Sequence, residues 1–100
     1  MTGPVPGFVA YFAECMAAYA RREGVAPDVA ERAVRQLFRG SGALLATTPE
    51  SPAEYVEAMI RYAGTTAAGL LAMRASPIEA AVAEGLDAAT QKARAIAPGA

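Results

Sequence analysis

Apolar residues recur every three to four positions along almost the whole chain, which is the spacing of an amphipathic α-helix. A first helix is predicted from about Phe8 to Glu23, with Gly24 as its C-terminal stop. A second helix is predicted to start near Pro27, a residue type that favours the first helical turn. Its apolar stripe consists of Val34, Leu37, Phe38, Leu44 and Leu45.

Two glycines, Gly40 and Gly42, lie inside the second predicted helix. Because each costs about 1 kcal/mol against Ala in a helix interior, the pair predicts a kink or a close crossing by another helix. The pair also supplies the first two positions of a Gly-x-Gly-x-x-Gly fingerprint, but Leu45 stands at the third and no strand precedes it. We therefore predict no cofactor-binding residue in this chain.

Two further helix starts carry the same local signature. Residues 51–54, Ser-Pro-Ala-Glu, combine an N-cap Ser, a Pro at the first helical position and a Glu three residues after the Ser. This helix is predicted to end at about Arg61 or Tyr62. Residues 76–79, Ser-Pro-Ile-Glu, repeat the signature and predict a last helix to about Ile96.

The last helix is predicted to be followed by a frayed tail at 97–100. Its predicted inner face consists of Ile78, Ala81, Val82, Leu86 and Ala89. A short helix must fit between Thr66 and Met73. No segment alternates with a period of two between turn signals, so no strand is predicted. The sequence thus predicts an all-α fold of about five helices.

The composition favours a domain that shares its core with a second chain. The chain is 54% hydrophobic, but about a quarter of its residues are Ala. Ala side chains bury little area, at roughly 25 cal/mol per Å². We therefore expect residues 1–100 to form one helical domain that dimerises obligately.

Charge and residue usage argue against several classes of function. Nine basic and ten acidic residues give no pull toward nucleic acid or an anionic membrane. One cysteine, Cys15, and no histidine argue against a metal site or a Cys/His nucleophile. The acids Glu54 and Glu57 have helix-surface spacing and are interpreted as solvated charges. With no signal peptide and no apolar run of membrane-spanning length, we predict a soluble, cytoplasmic protein.

Residues 61–70, Arg-Tyr-Ala-Gly-Thr-Thr-Ala-Ala-Gly-Leu, form the one segment with candidate chemistry. Gly64 gives the backbone freedom, and Thr65 or Thr66 is expected to cap the next helix. The open N–H groups of a first helical turn, together with the helix dipole, suit a carboxylate, and Arg61 can add a bidentate clamp. An ordinary capped loop between two helices is the alternative interpretation.

This segment resembles the Ser-Pro-Gly-Gly-Thr-Thr loop of pyrroline-5-carboxylate reductases. Residues 64–70 are similar to the family's Gly-Thr-Thr-Ile-Ala-Gly-Leu, and residues 51–54 to its His-Pro-Ala-Glu-like stretch. Residues 86–90, Leu-Asp-Ala-Ala-Thr, resemble Val-Glu-Ala-Ala-Thr in the family's last helix. The resemblance runs in order from about residue 6 to residue 93. Residues 61–63, Arg-Tyr-Ala, replace the family's Ser-Pro-Gly.

The resemblance implies a fold and a role. It covers only the family's C-terminal domain, an interleaved homodimeric bundle like that of 6-phosphogluconate dehydrogenase. The N-terminal Rossmann domain that binds NAD(P)H is expected to be absent from this chain. The implied reaction is reduction of the pyrroline imine to proline. Thr66 is implied as the catalytic residue that contacts the ring nitrogen, and the implied substrate-binding residues are Arg61, Tyr62, Gly64, Thr65 and Thr66.

Two other functions stay open at the level of sequence. A free-standing homodimeric module without catalysis, which binds a small carboxylate or a partner chain, is the second hypothesis. A helical bundle without a ligand is the third reading. Both share the predicted all-α fold. A Rossmann unit encoded in the same frame would distinguish the first hypothesis from the second, and binding of a ligand would distinguish the second from the third.

Overall fold

The computed structural model describes residues 5–96, which contain five α-helices and no strand. The all-α prediction with about five helices is confirmed. The tail predicted at 97–100 lies outside the described residues. In chain order the helices are α1 (Val5–Arg22), α2 (Pro27–Thr47), α3 (Pro52–Tyr62), α4 (Thr65–Ala75) and α5 (Ile78–Ile96).

The chain divides into two compact units, Met1–Pro49 and Glu50–Ala100. The first unit is the hairpin of α1 and α2. Helix α1 starts at Val5, three residues before the predicted Phe8, because a proline such as Pro6 is tolerated in a first turn where no N–H partner is needed.

The C-terminus of α1 is closed by a left-handed glycine, as predicted. Gly24 has a φ of 96°. Its N–H donates to the Arg21 carbonyl at 3.0 Å, and the N–H of Val25 donates to the Ala20 carbonyl at 3.0 Å. This pair of bonds is a Schellman motif, which satisfies carbonyls that the helix end would leave open.

Small residues and one aromatic pair hold the hairpin together. Ala17 of α1 is buried, and Ala30 of α2 is 1% exposed. The rings of Phe12 and Phe38 meet edge to face with centroids 6.0 Å apart, a geometry that contributes about 0.5–1.5 kcal/mol beyond burial. The hairpin therefore forms by close approach of two helices rather than around a core of large side chains.

Helix α2 runs unbroken through Gly40 and Gly42. A Cβ added at either glycine would have no neighbouring atom within 4 Å. Within the hairpin of α1 and α2, the predicted close crossing therefore does not occur at these glycines.

The second unit begins with a capping box, as predicted. The Ser51 hydroxyl accepts from the Glu54 N–H at 3.2 Å, and the Ser51 N–H donates to the Glu54 carboxylate at 2.8 Å. Pro52 occupies the first turn of α3. These reciprocal bonds satisfy two of the donors that a helix start leaves open.

The same residue pattern at Ser76 does not form a capping box, so the prediction of a second capping box is wrong. The Ser76 hydroxyl donates to the Met73 carbonyl at 2.6 Å and accepts from the Ile78 N–H at 3.3 Å. Ser76 directly follows α4, and its hydroxyl links the end of that helix to the first N–H of α5 instead of taking part in a box with Glu79. Helix α5 is present as predicted and ends at Ile96.

Most large apolar side chains are exposed in the described single chain. Only Ala17, Ala30 and Ala67 are buried among its hydrophobic residues. The predicted inner face of α5 is at best half-buried, with Val82 exposed. The other exposed large hydrophobics include Phe8, Val9, Tyr11, Phe12, Tyr19, Val29, Leu37, Leu44, Leu45, Tyr62, Leu71, Met73 and Ile96.

Among residues 5–96, no helix combines the length and the apolar character that a bilayer crossing requires.

Candidate functional site

The segment singled out in the sequence is a tight turn between α3 and α4. Ala63 adopts a left-handed conformation, with φ 60° and ψ 56°, and its N–H donates to the Ile60 carbonyl at 3.1 Å. Gly64 has φ −118° and ψ −157°, which is extended backbone. The backbone freedom assigned to Gly64 is therefore needed one residue earlier, at an alanine.

Gly64 is the N-cap residue of α4, so the prediction that Thr65 or Thr66 caps this helix is wrong. The Gly64 carbonyl accepts from the Ala68 N–H at 3.2 Å, which starts the helical ladder one residue before the threonines. Helix α4 is consequently longer than the predicted stretch from Thr66 to Met73.

The first turn of α4 carries no side-chain cap. The N–H groups of Thr65, Thr66 and Ala67 precede the first helical hydrogen bond and thus have no helical acceptor. Within the described part of the chain, neither threonine hydroxyl has a hydrogen-bond partner. This helix start therefore presents bare donors together with the positive end of the α4 dipole.

Arg61 and Tyr62 close α3 immediately before this turn. Both are exposed, Tyr62 to 84%. One edge of the Tyr62 ring comes near the turn, since its Cδ1 atom would be 3.9 Å from a Cβ built on Gly64. No carboxylate of residues 5–96 forms an ion pair with Arg61. The structure thus brings the five predicted site residues into one turn and the ends of its two helices.

A cross-helix ion pair lies on the same two helices. The Arg74 guanidinium of α4 donates to the Glu57 carboxylate of α3. This hydrogen bond and the Arg74 charge hold the pKa of Glu57 below its ordinary value, with a smaller lowering from Arg61. Sequence reasoning missed this pair, since it took Glu57 for a solvated charge.

The arrangement suits recognition of a small anion better than metal or nucleophilic chemistry. It offers N–H donors, two hydroxyls and one guanidinium, and no described group of three or more acids, cysteines or histidines is placed to hold a metal ion. Donors of this kind bind carboxylates through charge-assisted hydrogen bonds.

A protein-family profile decides the affiliation. The profile described as pyrroline-5-carboxylate reductase dimerisation matches residues 1–96. The chain belongs to this family. The resemblance found in the motifs is confirmed, and the chain is a dimerisation domain of the pyrroline-5-carboxylate reductase family, which supports the predicted homodimer.

Two curated relatives agree with the profile. Pyrroline-5-carboxylate reductase 3 of Danio rerio is 32% identical over 94 residues, covering 94% of this chain and 33% of the relative. The protein of the same name from Rattus norvegicus is 31% identical over 94 residues, covering 94% of this chain and 34% of the relative. The chain spans about a third of the length of these reductases. No solved structure matches the chain.

Proposed function

We propose that this chain is the dimerisation and substrate-binding domain of an NAD(P)H-dependent reductase that converts a pyrroline carboxylate to proline. The single observation that carries the proposal is the uncapped start of α4 within a segment of this family. An anion is the complement that such a helix start lacks.

Each site residue has a distinct role in the proposal. The N–H groups of Gly64 and Thr65 bind the substrate carboxylate, and Arg61 adds a charged donor beside them. The Thr66 hydroxyl bonds to the ring nitrogen and orients it for protonation as the imine carbon is reduced. Tyr62 forms the wall of the site.

The cofactor has no evident place on the described residues. Five helices without a strand cannot form the strand–turn–helix unit that holds a dinucleotide, and the sequence has no complete glycine fingerprint. NAD(P)H would supply hydride from a site that other residues form. The residues of this chain bind, orient and exclude water.

We further propose that the homodimer forms through interleaved helices, in a cytoplasmic protein. The exposed apolar residues of α1, α2 and α5 support this, because burying each large side chain contributes about 1.5–3 kcal/mol. The surface at Gly40 and Gly42, open within the hairpin of α1 and α2, offers room for a helix of the twin chain.

Titration with L-proline tests the binding role. We expect the amide NMR signals of residues 64–66 to shift, and Thr66→Val to raise the Kd about fivefold through loss of one hydrogen bond. Thr90→Val is the matched control, since the Thr90 hydroxyl donates to the Leu86 carbonyl within α5. That variant should bind as the wild type does.

The outcomes separate the candidate functions. Unmoved signals at residues 64–66 would reject substrate binding and leave a module that only pairs with its twin. Equal loss of affinity in both threonine variants would show that the Thr66 hydroxyl has no specific contact with the ligand.

A further inference from the structure

Among the ion pairs of residues 5–96, the Glu57–Arg74 pair joins two different helices. The other two, Asp28–Arg32 and Glu31–Arg35, each join residues four apart in α2. The Glu57 and Arg74 side chains are 48% and 52% exposed, against 63–75% for the α2 pairs. Water and salt therefore screen the Glu57–Arg74 attraction less.

Glu57 also has a second possible partner, Arg61. The two lie four residues apart on α3, with the acid on the N-terminal side, which is the favourable order for an ion pair on a helix. In the structure Glu57 bonds to Arg74, and Arg61 forms no ion pair with any residue of 5–96. Two guanidinium groups are thus potential partners of the Glu57 carboxylate, and the guanidinium of Arg74 on α4 binds it.

We propose that Arg74 is a positioning residue that holds Glu57 away from Arg61 and so keeps the Arg61 guanidinium available for the carboxylate of the ligand. This inference rests on the proposed function, because it assumes that Arg61 binds the ligand. Arg74 itself needs no contact with the ligand.

Removing Arg74 has a specific consequence in this arrangement. Glu57 then pairs with Arg61, and the ligand must displace it. The unneutralised Glu57 carboxylate also repels an approaching anion. Removing Glu57 as well eliminates both effects, so the double variant regains affinity. A purely structural link between α3 and α4 predicts the opposite, because the link is lost in the double variant too.

Four variants of the full chain, titrated with L-proline and followed by the amide signals of Thr65 and Thr66, test the proposal. Arg61→Met should raise the Kd about tenfold, as expected for loss of a charged hydrogen bond. Arg74→Met should raise it about twofold, the strength of a helix ion pair. Glu57→Gln combined with Arg74→Met should restore the wild-type Kd at unchanged net charge.

Arg39→Met is the charge control for Arg74→Met. Arg39 is exposed on α2, and its replacement by Met removes the same single charge. A Kd rise in Arg74→Met that exceeds the Arg39→Met value and is rescued by Glu57→Gln supports the proposal.

Three results would overturn it, and they identify the failing step. If Arg74→Met equals Arg39→Met while Arg61→Met weakens binding, this inference alone fails. If Glu57→Gln does not rescue Arg74→Met, the pair is a structural link only. If the wild type does not bind L-proline, or Arg61→Met binds as tightly as the wild type, the assumed role of Arg61 fails and the inference with it.

Discussion

Ala63 carries the least favourable backbone conformation in the described part of the chain. Among residues 5–96, Ala63 is the non-glycine residue that has a positive φ. For an L-residue with a Cβ, the left-handed region costs about 1–2 kcal/mol. The family loop that this segment resembles has glycine at the equivalent position, so this chain keeps the turn with a less suitable residue.

Exchanging residues at the turn gives two opposite expectations. We expect Ala63→Gly to raise the free energy of unfolding by about 0.5–1 kcal/mol, since relief of strain exceeds the entropy that glycine adds to the unfolded chain. The measurement is urea denaturation at a fixed protein concentration, because a dimer's stability depends on concentration.

Gly64→Ala is the matched variant. Gly64 has a φ that any residue adopts, and its Cβ would lie 3.9 Å from Tyr62, an ordinary contact. Its free energy of unfolding should nevertheless fall by about 0.5–1 kcal/mol, because Gly64 is the N-cap of α4 and Ala is a poorer N-cap residue than Gly. Destabilisation by Ala63→Gly, or a large loss in Gly64→Ala, would contradict this assignment of backbone angles.

Helix starts show how far a local signal predicts structure. The box at Ser51 forms as its letters predict, because both partners lie within four residues of each other. The same letters at Ser76 fail, because the serine follows another helix and its hydroxyl donates backwards to Met73. A cap is predictable from its own residues only when no neighbouring helix end competes for the hydroxyl.

The pH dependence of stability should report the capping box. Hydrogen bonds from the Ser51 N–H and hydroxyl lower the pKa of Glu54 from the ordinary 4.5. A carboxyl group whose pKa is lower in the folded than in the unfolded state stabilises the fold at pH values above its unfolded-state pKa. That stabilisation is lost as the pH falls through the folded-state pKa. We therefore expect the unfolding free energy of the wild type to fall more steeply below pH 4.5 than that of Glu54→Gln.

Glu79→Gln serves as the control for this pH series. Glu79 lies in the first turn of α5, and its carboxylate has no hydrogen-bond partner among residues 5–96. Glu79→Gln removes the same single charge from the first turn of a helix without touching a capping box, so a flattening specific to Glu54→Gln belongs to the box. Identical profiles for wild type and Glu54→Gln would mean that the box contributes nothing through the ionised carboxylate.

The sequence pattern did not predict which residues of different helices contact each other. Helical periodicity placed all five helices, because it depends on neighbours three and four residues away. The Glu57–Arg74 pair spans seventeen residues and exists only once the turn at Ala63 folds α4 back onto α3. The cap of α4 was missed for a local reason, because the left-handed conformation of Ala63 places the N-cap at Gly64, one residue before the threonines.

At the scale of the molecule, the apolar faces predicted from periodicity lack partners within one chain. Val34 and Phe38 of the α2 stripe are half-buried, whereas Leu37, Leu44 and Leu45 are exposed. Within residues 5–96, three buried alanines cannot offset the entropy of ordering this part of the chain, at about 1–2 kcal/mol per residue. Membership of a dimerisation family explains this surplus of apolar surface.

Leu86 tests whether α5 contributes to the dimer contact. It is half-buried in the single chain, on the predicted inner face of α5. In a dimer that covers this face, Leu86→Asp buries an unpaired carboxylate, which costs several kcal/mol and should dissociate the pair. Sedimentation velocity should then show a monomer or an unfolded chain.

Gln36→Asp adds the same charge at an exposed position of α2, beside Arg32 and Arg39, and should sediment like the wild type. Circular dichroism of Leu86→Asp then distinguishes a helical monomer from an unfolded chain, since neither of them sediments as a dimer. Either form supports α5 as part of the contact, since the single chain has almost no core with which to stay folded alone. An intact dimer of Leu86→Asp would move the contact to the other exposed faces, those of α1 and α2.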